Sequence, residues 1–215
     1  IYPVLSRLFS ECSLTFKKAN SLSLRYLLLL LLPVAVAIDG TANTVVPLLF
    51  GEEMAPAASA LRILIWTLVP YGIARVLASL LVASDRQRID LAVNGIGLVA
   101  NVGLNILLIP RYGFIGCSWA NLLSMLVFLG MQGYFLRREI LGVIKDAQIV
   151  RPFMVAGVLW GWFQLTAPLN LALRLAGGGA LFVLLVILLR AVPLSELRMV
   201  LPARLASVLP QERQQ

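Results

Sequence analysis

The chain has 215 residues, 60% of them hydrophobic and 13% charged, with a mean hydropathy of +0.91. Soluble domains carry roughly 45–50% apolar and about 25% charged residues, which excludes both an ordinary water-soluble enzyme and a disordered chain. The net charge is +8 with no histidine, and the only cysteines are Cys12 and Cys117. The commonest general base is therefore missing, and two thiols alone cannot build a tetrahedral metal site. Such a composition specifies an integral membrane protein of the all-α class, a polytopic bundle of transmembrane helices.

The chain opens Ile1-Tyr2-Pro3, with neither a Met nor the basic start and cleavage site of a signal peptide. Its first ten residues read as the end of a helix already under way, so the chain is expected to be the C-terminal part of something longer. A helix needs about 20 apolar residues to cross the hydrocarbon core. Six segments qualify, some of them interrupted. The first runs from Leu24 to Phe50 and contains Pro33 and Pro47. The second covers Ala60 to Ser84, the third Leu91 to Ile109, and the fourth Gly113 to Leu136. A short fifth covers Pro152 to Ala167, and a sixth runs from Leu169 to Leu189 with Arg174 near one end. In the tail, Leu197, Val200, Leu201, Leu205 and Val208 recur at helical spacing between Pro193 and Pro210. That segment either lies on the inner membrane surface or is a frayed end.

The basic residues orient these spans. Arg7, Lys17, Lys18 and Arg25 precede the first, and Arg86 and Arg88 follow the second. Arg137, Arg138, Lys145 and Arg151 separate the fourth from the fifth, and Arg190, Arg198, Arg204 and Arg213 follow the sixth. The opposite side carries only Arg111 and Arg174, beside the turn at Gly51-Glu52-Glu53. Fourteen against two places both ends of the chain in the cytoplasm and Glu52 and Glu53 outside. The clusters are short and show no basic face interleaved with aromatics, so nucleic acid is not an expected partner. Trp160 and Trp162 are expected at the outer headgroup level, Trp66 and Trp119 in helix packing.

An ionised side chain at mid-depth costs at least ~2.5–3.5 kcal/mol and faces a partner or a cavity. Asp39 lies 14 residues beyond Arg25, about 21 Å into the membrane at the helical rise. Arg75 lies 10 residues before Asp85, about 15 Å in from the same face. Two alternatives stand at this point: an Asp39–Arg75 ion pair joining two helices, or a water-filled cavity in which Arg75 meets an anionic substrate group. Arg62, nearer the outer end, is expected to snorkel to the interface. The run from Asp39 through Asn43 to Thr44, with the two prolines, is expected to bend its helix. Asn94, Asn101 and Asn105 share one helix face, a pattern that favours hydrogen bonding between helices over a substrate site. No phosphate-binding glycine loop, nucleophile–histidine pair or pair of membrane carboxylates is present, so no catalytic residue, metal ligand or cofactor is expected.

Three stretches in one register resemble a known family. Tyr2-Pro3-Val4-Leu5-Ser6-Arg7-Leu8 is similar to the Pro-x-Leu-Ser-Arg helix end of bacterial polysaccharide flippases. Pro47-Leu48-Leu49-Phe50-Gly51-Glu52-Glu53 is similar to their Leu-Phe-Gly turn. Asn101 to Ile109 followed by Pro110-Arg111-Tyr112-Gly113-Phe114-Ile115-Gly116 resembles their Asn-Leu-x-Leu-Ile-Pro-x-Tyr-Gly-x-x-Gly segment. These are the oligosaccharidyl-lipid and polysaccharide flippases of the multidrug/oligosaccharidyl-lipid/polysaccharide exporter superfamily, and the resemblance covers residues 1–138.

The resemblance implies two six-helix lobes, often with two further helices, around a cavity that opens alternately to each side. Residues 1–138 would be the C-terminal lobe, 139–192 a cytoplasmic linker and additional hairpin, and 193–215 a cytoplasmic tail. The implied substrate is an undecaprenyl-pyrophosphate-linked oligosaccharide, moved across the bacterial cytoplasmic (inner) membrane for polysaccharide biosynthesis. Membrane lipids, the N-terminal lobe of the same protein and a polysaccharide polymerase are the other implied partners. Arg75 has the position of a cationic cavity residue that meets pyrophosphate, and Arg7 matches the family's Ser-Arg. Asp39 stands where relatives have an uncharged residue or glycine, and is a candidate to carry a coupling proton or sodium ion. Asn43, Asn101 and Asn105 are the polar cavity or packing candidates. A cation-coupled multidrug exporter and a membrane-embedded glycosyltransferase or ligase are the competing classes.

Overall fold

The computed structural model describes residues 2–83, 86–137 and 149–189, with side chains of the first stretch described for residues 20–81. The described residues form an all-α bundle. Helix α1 spans Tyr2–Phe50, α2 Ala57–Leu64, α3 Leu68–Ala83, α4 Gln87–Phe135, α5 Val150–Leu165 and α6 Leu171–Leu188. The expected linker around residues 139–148 and the tail beyond 190 lie outside the described residues, as do Lys145, Arg198 and Arg204.

Helix α1 is a single helix of 49 residues that runs through both Pro33 and Pro47. The polar run Asp39–Thr44, expected to bend the helix, lies within it, and there Thr41 turns its hydroxyl back onto the Ala37 carbonyl at 2.6 Å. Its apolar part, Asn20–Phe50, is long enough to cross a bilayer. Gly51 stops the helix with φ 88°, a left-handed geometry a side chain resists, and its N–H caps the Pro47 carbonyl at 2.9 Å.

A short 3-10 turn at Glu52–Met54 reverses the chain into α2, and a second at Ile65–Thr67 joins α2 to α3. The second lies one turn before Pro70, whose missing N–H and bulky ring deny the Trp66 carbonyl its usual partner. Together Ala57–Leu81 make one apolar pass.

Helix α4 folds back on itself at Gly113, where φ is 58° and ψ −136°. Three cross-contacts fix the fold: Asn101 to Ser124, Gln132 to Asp90, and Gly97 against the Phe128 ring. All are centred near residue 112, so the halves run antiparallel. A Cβ on Gly116 would collide with the Leu108 carbonyl oxygen, which explains the glycine beside the bend. The third and fourth expected spans are therefore the two arms of one hairpin. The fifth is α5, 16 residues and short as expected, and the sixth is α6.

The core sits where α1 is sandwiched between α3 and α5. Leu28, Leu32 and Val36 of α1 meet Val76, Leu77, Leu80 and Leu81 of α3 on one side. Val155, Leu159 and Phe163 of α5 fill the other, with Leu136 closing one end. Helix α6 rests on α5, with Gly177 and Gly178 taking the Trp162 and Phe163 rings against the backbone. The α4 hairpin leans on α2 and α3 and leaves Leu91, Leu98, Val99 and Ile106 exposed. Apolar exposure of that kind suits lipid or a further helical surface rather than water. Trp119, expected inside the packing, is 45% exposed on this hairpin, lying off the inward face that bears Gly116, Ala120 and Ser124. Trp66 does pack against the core.

Candidate functional site

Apart from Arg25, buried on α1, the charged side chains Asp39, Arg62, Arg75, Asp90 and Arg174 fall into two clusters, and they do not group as the sequence led one to expect. The first lies between α1, α2 and α6. Asp39 is 9% exposed and accepts a hydrogen-bonded ion pair from Arg62, Nε to Oδ1 at 2.9 Å. Arg62 is thus a partner rather than a side chain reaching for the interface. The alternative of an Asp39–Arg75 pair is corrected with it. Depth does not choose between the two arginines, since along straight helices each lies within about 10 Å of the level of Asp39. The helix face chooses: Arg62 turns toward α1, and Arg75 turns toward α4.

Arg174 belongs to the same cluster. Expected near one end of the sixth span, it lies in the first turn of α6 after the Asn170 cap and is 4% exposed. Its Nη2 donates to the carbonyl of Gly40, next to Asp39, at 2.6 Å and to that of Phe163 at 3.2 Å. Trp162 donates in turn to the Arg174 carbonyl at 3.2 Å, and the guanidinium lies 6.0 Å from the Phe163 ring centre. Carbonyl dipoles at Nη2 and the Phe163 ring hold the cation, while its buried Nε has no hydrogen-bond partner among the described residues, and the two bonds tie α6 and α5 to α1. Space is tight here, as a Cβ on Gly40 would come within 2.6 Å of the Phe163 Cβ.

The second cluster surrounds a cavity of about 280 Å³ between α3 and the α4 hairpin. Arg75 and Tyr71 from α3, Asp90 and Asn94 from the first arm, and Asn121 and Ser124 from the second supply its polar lining. Ala74, Ala78 and Gly97 keep its floor clear of bulk. Arg75 is exposed and makes no hydrogen bond or ion pair with any described residue. Asp90 shares the cavity, but its Oδ1 is held from behind by Nε2 of the fully buried Gln132 at 3.3 Å. Asn94 donates to the Asp90 backbone carbonyl at 2.7 Å, which leaves its amide carbonyl oxygen directed elsewhere. A second space of about 320 Å³ adjoins this one, sharing Tyr71, Asn121 and Met125 and adding Thr67 and Leu68.

The remaining candidates separate cleanly. Asn101 donates to the Ser124 hydroxyl at 2.9 Å, and Asn105 donates to the Asn101 side chain at 3.0 Å and its carbonyl at 2.8 Å. Asn101 thus holds the arms of α4 together, while Asn105 bonds within the first arm. Asn43 is exposed on α1 with no described partner. The side chain of Arg7 lies outside the described residues. Asp90, Gln132, Tyr71 and Asn121 were not singled out in the sequence. A signal was present for the first: Asp90, Asn94, Gly97 and Asn101 recur at spacings of four, three and four, one helix face.

A protein-family model described as lipid II flippase MurJ matches residues 1–189, the whole of the bundle. No curated protein and no solved structure matches the chain.

Proposed function

The chain belongs to the lipid II flippase MurJ family, and from that premise we propose that the cavity at Arg75 receives the pyrophosphate of a lipid-linked precursor, lipid II being the substrate the family's description names. Membership makes this a multi-pass protein of the bacterial inner membrane and a flippase of a lipid-linked precursor. The class of transporter agrees with the resemblance read from the motifs, while the glycan shifts from an exported polysaccharide to a cell-wall precursor.

One observation carries the proposal. Among the arginines described inside the bundle, Arg25, Arg62 and Arg174 each have a partner, whereas Arg75 has none among the described residues and stands at the wall of an open cavity. A lipid-linked precursor has a charged headgroup that cannot enter hydrocarbon and a tail that need not leave it. A guanidinium offers a diphosphate two parallel N–H donors, and a site shielded from bulk water strengthens that contact. Asp90 supplies the balancing charge while the cavity is empty, which lowers the cost of holding an arginine at this depth. We place the end of the bundle bearing Arg86, Arg88, Arg137 and Arg151 in the cytoplasm by the excess of basic residues there. Arg75 then lies about 16 Å from that face, 11 residues before Arg86, within reach of a headgroup arriving from the inner leaflet. Movement of the α4 hairpin against α3 would expose the cavity to the other side.

The test is substitution in the intact protein. Arg75→Glu is expected to abolish precursor translocation in proteoliposomes while insertion and thermal stability stay at the wild-type level. Wild-type translocation by that variant would remove Arg75 from the substrate path.

A further inference from the structure

We propose that the space beside the Arg75 cavity is a saccharide subsite, with Tyr71 as its stacking platform and Asn121 as its hydrogen-bonding wall. The proposal rests on the assignment of the pyrophosphate to Arg75 and extends it to the part of the headgroup attached to that phosphate.

Two adjoining spaces of different chemistry share one boundary. The first contains the charged groups Arg75 and Asp90; the second contains no charged side chain and is lined by Thr67, Leu68, Tyr71, Asn121 and Met125. Thr67, Tyr71 and Arg75 follow one another at intervals of four, so they form a stripe along one face of the pass. One interval is about 6 Å of helix, a step from a phosphate to the ring bonded to it. Opposite that stripe, Asn121 and Met125 repeat the same interval on the second arm of α4.

Tyr71 is 54% exposed, and neither its hydroxyl nor the side-chain amide of Asn121 is engaged by any described residue. An exposed, unengaged tyrosine beside an unengaged amide is costly to place against hydrocarbon and useful against a sugar. The aromatic face matches the apolar C–H face of a pyranose, and the amide offers both a donor and an acceptor to ring hydroxyls or an acetamido group. The Thr67 hydroxyl donates to the Leu64 carbonyl at 2.6 Å, which leaves its lone pairs for a sugar hydroxyl. A few fixed polar groups in a mainly apolar wall are what orient a small ligand in a pocket.

The experiment measures binding to the purified intact protein in nanodiscs, with two probes: undecaprenyl pyrophosphate, and the same lipid carrying a disaccharide. Tyr71→Ala is expected to weaken the glycosylated probe roughly three- to tenfold more than it weakens the bare pyrophosphate lipid. Tyr71→Phe keeps the stacking face and should remain near wild type for both. Asn121→Leu, an independent variant on the other wall, should reproduce the selective loss at roughly two- to tenfold. Arg75→Gln should weaken both probes together. If Tyr71→Ala and Asn121→Leu weaken both probes equally, or neither, the saccharide subsite is wrong. If instead Arg75→Gln leaves both probes untouched while Tyr71→Ala remains selective, the pyrophosphate assignment fails and the saccharide subsite stands alone.

Discussion

Arg174 and Arg75 set two regions of the bundle against each other. At Arg174 the guanidinium is buried, two backbone carbonyls accept from one of its nitrogens, and the neighbouring carboxylate of Asp39 is already bound to Arg62. At Arg75 the guanidinium is exposed, the acid that shares its cavity, Asp90, is bonded by Gln132, and the space in front of it is open. The difference is one of partners. A charge bonded across helices fixes them to one another, and a charge without a described partner is available to a ligand. The α1–α5–α6 side is therefore the cross-linked wall of the molecule, and the α3–α4 side is where substrate is expected.

Substitutions sharpen that contrast, beginning with the largest expected effect. Arg174→Ala removes two charge-assisted hydrogen bonds that join α6 and α5 to α1, and is expected to destabilise the protein by about 2–4 kcal/mol, read as a fall in the unfolding midpoint in detergent. Gly40→Val at the same junction forces a side chain onto Phe163 and should cost about 1–3 kcal/mol; an unchanged midpoint would mean that the α1–α5 contact is loose. A double-mutant cycle on Asp39 and Arg62 should return a coupling of about 1 kcal/mol, discounted because Arg62 is 44% exposed. The same cycle on Asp39 and Arg75 should return none. Asn101→Ala, which frees the arms of α4 from one bond, should cost about 0.6 kcal/mol, the usual worth of such a bond between membrane helices.

Composition and the run of apolar segments made the helical membrane bundle legible in the order of amino acids alone. The Pro110–Gly116 motif marked the reversal that Gly113 performs. What could not be read was the pairing of charges. Counting the rise from a loop gives a depth, but a depth does not say which way a side chain points. The 3-10 turn before Pro70 alters the helix rotation between Arg62 and Arg75, so simple periodicity does not relate their faces. The burial of Arg174 could not be read for a related reason: a place near the end of a span does not say what packs over it, and here Trp162 and Phe163 close against Gly177 and Gly178. Asp90 precedes the apolar run that begins at Leu91, and only the folding of α4 brings Gln132 and the cavity to it.

The central claim is that anionic substrate meets Arg75, which has no described partner, and not the Asp39–Arg62 pair. Binding of undecaprenyl pyrophosphate to Arg75→Gln and Arg62→Gln proteins, measured side by side in nanodiscs, tests it most directly. Loss of affinity by about tenfold or more at Arg75, with Arg62→Gln near wild type, is the result expected when one charged hydrogen-bonding partner is removed from a ligand. Equal loss in both proteins, or loss at Arg62 alone, would contradict the division of the molecule into a fixed wall and a binding wall.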